Sequence, residues 1–368
     1  MNRVLLWDAG PGEIRTGLIE QGRLAEFRIL RPRRDSALLA AGEIYTARVL
    51  RSLGRNRAQV TLGGGSEALL QPAQALPEGT LLTAEMTRAP IPEPGRWKLP
   101  TVRPAPGIAP MGEPGWHGGT ELWALFLQRL APTLDAIICP AAQSANAVRA
   151  ELGSGCPPVR IDAEAIAEAD FSGLIEAAVL GEFAVAGGVL SIERSRAMTV
   201  IDIDGSGDPL ALNLAGAREI GRLLRLFDIG GPVGIDFVTL PGRLARSAVD
   251  AALGHACAAL GPHKRTAMNG FGFAQIVRPR PGPSIPEIVC TTTPGRLSLE
   301  SRAIALLREA GRSQGHGPRR LIAPPAVIAL VRQWPDELGA LQTSLGAAIE
   351  LVADPAAIGY GHVHASQS

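Results

Sequence analysis

The chain has 368 residues, of which 46% are hydrophobic, and its 36 basic and 35 acidic residues give a formal net charge of +1. This length leaves room for two or three compact units, and no apolar run approaches the about 20 residues of a membrane span, so we expect a soluble, cytoplasmic protein. The near-neutral charge argues against a strongly basic nucleic-acid-binding module, because phosphate contacts usually leave an excess of basic residues.

The first hundred residues predict β structure. Residues 1–34 alternate apolar and polar side chains around Gly22, which predicts a β-hairpin. From Ala41 to about Pro104, short β-prone segments separated by glycine-rich turns predict a small five-stranded barrel. Residues 90–114 are dense in proline and glycine and therefore predict a connector or a long loop.

The next segment, residues 118–186, has the mixed pattern of an α/β region. Its periodicity predicts helices at 122–130, 144–152 and 163–169, and a strand at 136–139.

Two apolar segments in the second half of the chain each carry acidic residues. They are Met198-Thr-Val-Ile-Asp-Ile-Asp204 and Val233-Gly-Ile-Asp-Phe-Val238. Side chains alternate faces along a strand, so Asp202 and Asp204 should point to the same face. Residues 213–228 have one apolar side and one arginine-rich side, which predicts an amphipathic helix between the two strands.

A strand-helix-strand unit of this length normally joins parallel strands. We therefore expect Asp202 and Asp236 near neighbouring carboxyl ends, where open α/β sheets usually bind their ligands. Carboxylates in hydrophobic strands are costly to bury without a partner, and two of them at one sheet edge favour a shared divalent metal ion. The alternative is that both aspartates form buried ion bridges to neighbouring arginines.

The end of the chain predicts further α structure. Residues 279–286 are rich in proline and form a break, after which 297–309 and 325–345 predict helices. We expect the final residues, including His362 and His364, to form a disordered tail rather than a His-x-His metal site.

The two acidic segments and the helix motif between them, Asn213-Leu-Ala-Gly-Ala217, resemble the catalytic region of the ribonuclease E/G family. In that family the two strand aspartates hold the catalytic magnesium ion, and they correspond here to Asp202 and Asp236. The resemblance extends to Gly42-Glu-Ile-Tyr-Thr-Ala-Arg-Val49, which is similar to the opening of the family's S1 domain, and to residues 321–355, which resemble its small carboxy-terminal domain.

The resemblance implies an α/β multidomain fold, in which an S1/OB-type barrel is inserted in an RNase H-like and DNase I-like catalytic region. The implied segments are an RNase H-like region at 1–34 and 115–188, an S1-like barrel at 35–104, a Pro/Gly connector at 105–114 in place of a 5′ sensor, a DNase I-like catalytic domain at 189–285, a degenerate zinc link at 286–296 and a small α/β domain at 297–368.

The implied activity is endonucleolytic cleavage of single-stranded RNA. Asp202 and Asp236 would bind Mg²⁺, or Mn²⁺ in its place, and Asp204 would be a third catalytic carboxylate. Asp204 stands where the family has asparagine, so it either tightens metal binding or misplaces the attacking water. The implied RNA contacts are Arg278, Tyr45 and Arg48.

Three departures from the family pattern qualify this prediction. The barrel positions on which the family stacks bases align with Gln59 and Leu69, so weaker RNA binding is expected. A short loop replaces the 5′-monophosphate sensor. The zinc link aligns with Cys290-Thr-Thr-Thr-Pro-Gly-Arg296 and keeps one cysteine, which predicts no zinc and a monomer or a dimer instead of the family's zinc-linked tetramer.

Two alternatives to the endoribonuclease stay open from the sequence. One is a non-catalytic RNA-binding relative that keeps the fold, and the other is a metal-dependent phosphodiesterase acting on a small nucleotide. Both metal aspartates are kept while the stacking aromatics are lost, which favours catalysis.

Overall fold

The computed structural model describes residues 3–31, 39–73, 76–93, 96–118, 122–290, 293, 295–315 and 317–365. Its contacts divide the chain into two compact units. Unit 1 contains Met1–Pro32, Phe126–Ile175 and Val289–Ser368, and unit 2 contains Arg33–Leu125 and Glu176–Ile288. The finer division into six segments stays a prediction.

The strands are β1 (Arg3–Gly10), β2 (Glu13–Glu20), β3 (Arg23–Leu30), β4 (Ile44–Gly54), β5 (Arg57–Gly63), β6 (Ser66–Leu70), β7 (Leu81–Arg88), β8 (Ile91–Glu93), β9 (Arg96–Lys98), β10 (Thr101–Pro104), β11 (Gly115–Trp116), β12 (Ala136–Cys139), β13 (Val159–Ile161), β14 (Glu182–Val185), β15 (Gly188–Arg194), β16 (Thr199–Gly205), β17 (Gly231–Asp236), β18 (Lys264–Arg265), β19 (Phe273–Arg278), β20 (Arg319–Ala323), β21 (Ile349–Ala353) and β22 (His362–Ala365).

The α-helices are α1 (Leu122–Leu130), α2 (Ala142–Leu152), α3 (Ala163–Glu168), α4 (Phe171–Leu180), α5 (Pro209–Leu226), α6 (Arg243–Cys257), α7 (Ile285–Cys290), α8 (Leu299–Arg312), α9 (Pro325–Val331) and α10 (Pro335–Leu345). Among the helices in the described part of the chain, none has the length and apolar character needed to cross a membrane.

The larger sheet of unit 1 has the strand order β13-β12-β1-β2-β3. The predicted hairpin is a three-stranded meander, because the Pro11-Gly12 turn adds a reversal before the predicted one at Gly22. β12 extends this sheet by pairing parallel to β1, and its bounds agree with the predicted strand.

The described part of unit 2 contains a closed five-stranded barrel, in the order β4-β5-β6-β10-β7 with β7 pairing back to β4. The interior is filled by alternate side chains of these strands, including Val49, Val60, Leu70 and Met86. The predicted five-stranded barrel is therefore confirmed, and the closed ring is compatible with an inserted OB-type barrel.

The second sheet of unit 2 has the order β14-β15-β16-β17-β19-β18. β16 and β17 are parallel and α5 connects them, as the sequence predicts. Helix α5 begins at Pro209, four residues before the predicted start, because the Asp208 carboxylate accepts a hydrogen bond from the backbone N–H of Ala211 at 2.9 Å and caps the helix. A Cβ atom at Gly216 would lie 2.8 Å from Ile203 Cδ1, so glycine allows α5 to approach β16 closely.

The carboxy-terminal region of unit 1 has a three-stranded sheet, β21-β20-β22, packed with α8, α9 and α10. Two predictions are wrong here. The predicted helix at 325–345 is two helices, because Pro335 disfavours helical backbone at the residue before it and begins α10. The predicted tail is strand β22, in which His362 and His364 pair with β20.

Candidate active site

Three aspartates lie at the carboxyl ends of β16 and β17. We call Asp202, Asp204 and Asp236 the acid edge. Asp202 is the register partner of Asp236 in the parallel ladder, so the two residues sit side by side on strands about 4.8 Å apart. Asp204 lies two residues beyond Asp202 on the same face, while Ile201 and Ile203 are buried on the opposite face. The predicted placement of these residues is thus what the fold produces.

The carboxylates are less buried than their hydrophobic surroundings suggest. Asp204 and Asp236 are exposed and Asp202 is intermediate; Asp236 is the last residue of β17, and Asp204 lies beyond the last residue of β16 that pairs with β17. The expected cost of burying them is therefore smaller than the sequence implies. What sets this edge apart is the grouping of like charges.

The pKa of Asp202 is raised above its ordinary value. Partial burial of the carboxyl group is the largest cause, and the negative charge of Asp204 is the next. Hydrogen bonding with the Asp204 carboxyl group and the charge of Asp236 raise the pKa further, while a hydrogen bond from the Ile203 backbone opposes them. Repulsion between carboxylates thus adds to desolvation in disfavouring the ionised form.

Ion bridges to arginine, the alternative explanation for Asp202 and Asp236, do not occur in the described part of the chain. Neither Asp202 nor Asp236 takes part in an ion pair of the described residues, and no arginine contributes to the shifted pKa of Asp202. Among the described residues, no group of three or more His, Cys, Asp or Glu side chains is arranged so that it could hold a metal ion. The acid edge therefore supplies a carboxylate pair, not a closed cage.

A carboxylate pair fits a hard divalent cation. Mg²⁺ keeps several of its waters and needs only one or two protein carboxylates, which Asp202 and Asp236 can supply from adjacent strands. A cation at this position would also offset the repulsion that raises the pKa of Asp202. The residues present therefore suit magnesium or manganese better than zinc, which prefers nitrogen and sulfur ligands.

The segment after Asp236 is held in place by Asn213, which is fully buried on α5. Its side-chain N–H donates to the Val238 carbonyl at 2.7 Å, and its carbonyl oxygen accepts from the Val238 backbone N–H at 3.1 Å. This pair of bonds fixes the chain two residues beyond Asp236. In the sequence Asn213 stands out only as part of a motif, although an asparagine on the apolar face of a predicted helix is a signal for such a contact.

A tight turn at residues 269–272 closes the same edge. The Asn269 side-chain oxygen accepts hydrogen bonds from the backbone N–H groups of Phe271 at 2.9 Å and Phe273 at 3.0 Å. The Gly272 carbonyl accepts from the Phe237 N–H at 3.1 Å. Gly272 has φ +93°, and a Cβ atom there would lie 2.3 Å from the Phe237 carbonyl oxygen, so only glycine fits this close approach.

Arg278, a predicted phosphate contact, lies at the other end of the sheet. Its register partner is Gly231, whereas the partner of Asp236 is Phe273 at the opposite end of β19. The guanidinium donates to the carbonyls of Leu224 at 2.8 Å and Ile229 at 3.2 Å, and pairs with a carboxylate at the end of α5. The structure does not bring Arg278 to the acid edge, and it gives this residue a role in anchoring α5.

The other two predicted RNA contacts lie in the barrel. Tyr45 is 2% exposed in the barrel core, and its hydroxyl donates to Glu43 at 2.5 Å, so its ring is not available to stack on a base. Arg48 is partly exposed and pairs with Glu113 at 2.7 Å. Of these two side chains, only that of Arg48 lies near the surface, where a phosphate could reach its positive charge.

The barrel positions aligned with the family's stacking aromatics are cross-strand partners, Gln59 on β5 and Leu69 on β6. Gln59 accepts a hydrogen bond from Arg51 at 2.7 Å and donates one to Glu67 at 2.5 Å. This face of the barrel therefore presents a polar chain in place of an aromatic pair.

The degenerate zinc link falls partly on Thr291, Thr292 and Pro294, which lie outside the described residues. Within the described part, Cys290 is buried at the end of α7. Cys139, Cys156, Cys257 and Cys290 are all described, and no disulfide joins any of them.

Unit 1 contains a second group of acidic residues that the sequence analysis missed. Glu13 is 3% exposed and accepts from Arg15 at 2.7 Å and Arg31 at 3.1 Å, and Arg31 also pairs with Glu300 at 2.8 Å. Burial raises the pKa of Glu13, but attraction to Arg31 and Arg15 outweighs burial and holds that pKa below its ordinary value. We call this group the buried ion network; its other members are Asp8 and Arg308, which pair with each other.

This region matches the model of a known protein family. The model of the ribonuclease E/G family matches residues 168–281. The matched segment contains the acid edge, Asn213 and the turn at 269–272, while the barrel lies outside it.

Proposed function

We propose that this chain is a divalent-metal-dependent endoribonuclease that cleaves single-stranded RNA, because the model of the ribonuclease E/G family matches residues 168–281. The family supports a ribonuclease or RNA-processing function in general. Metal dependence and the position of the catalytic residues are the specific parts of the proposal.

The observation that carries the proposal is the uncompensated charge of the acid edge. Asp202 and Asp236 lie side by side, and the pKa of Asp202 is raised by partial burial and by neighbouring acids. The buried acid Glu13, by contrast, is neutralised by Arg15 and Arg31. A fold that keeps repelling carboxylates at a sheet edge is typical of a functional site, where perturbed pKa values cluster.

In this proposal Asp202 and Asp236 hold Mg²⁺, or Mn²⁺ in its place. When bound, such an ion supplies an acidified water as nucleophile and stabilises negative charge on the phosphoryl oxygens. Partial burial is the largest cause of the raised pKa of Asp202, and the nearby charge of Asp204 raises that pKa further. Asn213 keeps the backbone after Asp236 fixed, which limits rearrangement of that side chain.

The finer architecture belongs to the same proposal. The closed barrel of β4, β5, β6, β7 and β10 supports an S1/OB-type module, and we assign RNase H-like and DNase I-like character to the regions around the first sheet of unit 1 and the acid edge. The lack of disulfides among the four cysteines supports a reducing, cytoplasmic setting. Because the zinc link keeps one cysteine, we propose a monomer or a dimer without zinc.

The second candidate is a non-catalytic RNA-binding relative. The polar chain through Gln59 on the barrel does not favour it, because a protein kept only for binding should retain its stacking platform. The exposed position of the acid edge favours catalysis, since these carboxylates repel RNA phosphates unless a cation joins them.

The test is cleavage of a short, internally labelled, AU-rich single-stranded RNA with Mg²⁺ or Mn²⁺. We expect metal-dependent cutting by the wild type, and a loss of at least about 100-fold in Asp202→Asn and Asp236→Asn, since even residues that only orient metal ligands are worth about 10- to 100-fold. Glu193→Gln, an exposed acid on β15 of the same sheet, is the matched control and should cut normally. Metal-independent cutting, or equal cutting by all forms, contradicts the proposed site.

A second comparison tests the missing 5′ sensor. RNAs with a 5′-monophosphate and with a 5′-hydroxyl should be cut at similar rates. A strong preference for the monophosphate contradicts the assignment of residues 105–114 as a simple connector. RNA binding without cutting by any form supports the non-catalytic relative.

A further inference from the structure

The turn at residues 269–272 carries an aromatic ring in solvent. Phe271 is 86% exposed, whereas the next most exposed aromatic among the described residues is Trp97 at 46%. Four of the eight phenylalanines are buried and three are half-buried, among them Phe273, which packs against Gly234. An isolated exposed ring needs no explanation by itself, so its position and its rigidity decide what it can do.

The ring is held next to the acid edge. Phe273 is the register partner of Asp236, and the Phe271 carbonyl accepts a hydrogen bond from the Thr239 hydroxyl at 3.3 Å. Phe271 therefore lies in the turn that directly precedes the residue paired with Asp236. The ring therefore lies beside the place where the proposed function puts the reacting phosphate.

The backbone beneath the ring is ordered by its own contacts. The Asn269 side chain binds the N–H groups on both sides of Gly272, and Gly272 approaches the Phe237 carbonyl too closely for any other residue. Fixing the backbone that carries an aromatic ring reduces the conformational entropy lost on binding. This arrangement suits a binding platform better than a surface loop with a chance apolar tip.

On the strength of the proposed function, we infer that the Phe271 ring stacks on one nucleobase of the RNA, adjacent to the phosphodiester at Asp202 and Asp236. Every base has a π-face, so such a platform tolerates different sequences. It also supplies, at the acid edge, the kind of contact that Gln59 and Leu69 do not provide on the barrel. Recognition then depends on contacts close to the cleavage point.

The test measures binding apart from cleavage. Affinity for a fluorescent single-stranded RNA is measured by anisotropy with the Asp236→Asn form, and kcat and KM are measured with the active form. Phe271→Ala and Phe271→Leu should weaken binding and raise KM about tenfold with little change in kcat. Phe271→Trp should keep the affinity and the KM of the wild type. Ile358→Ala is the matched control, because Ile358 is 87% exposed and lies in unit 1.

A scan with abasic nucleotides identifies the base involved. One abasic position next to the cleaved bond should weaken binding by the wild type about tenfold and leave Phe271→Ala unchanged, as for two partners of one contact. Leucine as effective as tryptophan, or Phe271→Ala with normal affinity and KM, overturns the inference.

The same data separate this inference from the proposed function. Metal-dependent cutting with no effect of Phe271→Ala removes the platform and keeps the endoribonuclease. Phe271-dependent binding without cutting keeps the platform and supports the non-catalytic relative. Absence of both binding and cutting overturns both.

Discussion

Two groups of acidic residues in this protein occupy sheet ends but have opposite surroundings. In the buried ion network, Glu13 lies between Arg15 and Arg31, and its pKa is held below the ordinary value. At the acid edge, the pKa of Asp202 is raised by partial burial and neighbouring acids, with no arginine among the causes. The same residue types are therefore neutralised in one unit and left repelling in the other.

This difference separates two uses of a carboxylate. A buried, paired acid such as Glu13 fixes the position of the elements around it, because removing either partner leaves an unpaired charge. An unpaired group at an exposed sheet edge contributes less to stability and is available to a ligand. The sign of the pKa shift and the identity of the neighbouring charges distinguish the two uses better than hydrophobic flanking sequence does.

The largest expected effect is on the buried ion network. Glu13→Gln leaves the guanidinium groups of Arg15 and Arg31 without their shared carboxylate, and should lower the free energy of unfolding by about 3–5 kcal/mol. Urea denaturation measures the change. Glu26→Gln is the control, because the partly exposed pair of Glu26 with Arg28 should be worth at most about 1 kcal/mol. Equal losses in the two variants contradict the contrast drawn between buried and exposed pairs.

The next effect concerns the support of the acid edge. Asn213→Leu removes both hydrogen bonds to Val238 and should lower the free energy of unfolding by about 1–3 kcal/mol, with RNA cleavage reduced about tenfold. Denaturation and single-turnover cleavage report the two changes. Asn146→Leu, at an exposed position of α2, should alter neither. Normal cleavage by a destabilised Asn213→Leu protein would show that Asn213 serves the fold alone.

A smaller effect should follow from adding the cation. Mg²⁺ at ten times its dissociation constant should stabilise the wild type by about 1.4 kcal/mol, which raises Tm by a few degrees. Thermal unfolding in Mg²⁺, compared with Na⁺ at the same ionic strength, measures this shift. Asp236→Asn should lose it while Glu193→Gln keeps it. A rise in Tm that persists in Asp236→Asn places the cation elsewhere.

The smallest expected effect is a gain in stability when the charge of Asp202 is removed. In EDTA at pH 7, Asp202→Asn should raise Tm by about 1 °C, because it removes a repelled carboxylate that solvent partly screens. A raised pKa in the folded state gives stability that is present below the unfolded pKa and is lost as pH rises through the folded pKa. The gain should therefore shrink towards pH 4.

Glu13 should show the reverse dependence on pH. Its pKa is lowered in the folded state, so its contribution is present above the unfolded pKa and is lost as pH falls through the folded pKa. The penalty of Glu13→Gln should thus shrink in acid. If the difference in Tm from the wild type changed with pH in the same direction for Asp202→Asn and Glu13→Gln, the two carboxylates would not have opposite pKa shifts.

The sequence predicted the features that depend on local pattern. Alternation along β16 places Asp202 and Asp204 on one face, and the strand-helix-strand pattern places Asp236 beside Asp202. The five-stranded barrel followed from short strands and turns. Each of these features is encoded within a few tens of residues, so periodicity is sufficient to find it.

The features that were missed depend on contacts between distant residues. Arg31 pairs with both Glu13 and Glu300, and Arg308 donates a hydrogen bond to the Glu13 carbonyl. The sequence around Glu13 does not indicate these contacts with residues near position 300. β22 was predicted as a tail because four residues with two histidines carry little strand pattern, and its partner β20 lies some forty residues earlier. The exposure of Phe271 follows from the folded turn, since the sequence alone gives a phenylalanine between glycines the same weight as one in the core.

The link between Asp8 and Arg308 spans 300 residues of chain. On a ribosome that adds about 5–20 residues per second, Asp8 waits on the order of 15–60 seconds before its partner is synthesised. During this time Asp8 has no α8 arginine to pair with, whereas Glu13 already has Arg15 and Arg31, so the Asp8 carboxylate must stay hydrated until α8 is made. Folding of unit 1 is therefore timed by translation of its last segment, and premature termination before α8 should leave the amino-terminal sheet exposed to aggregation and proteolysis.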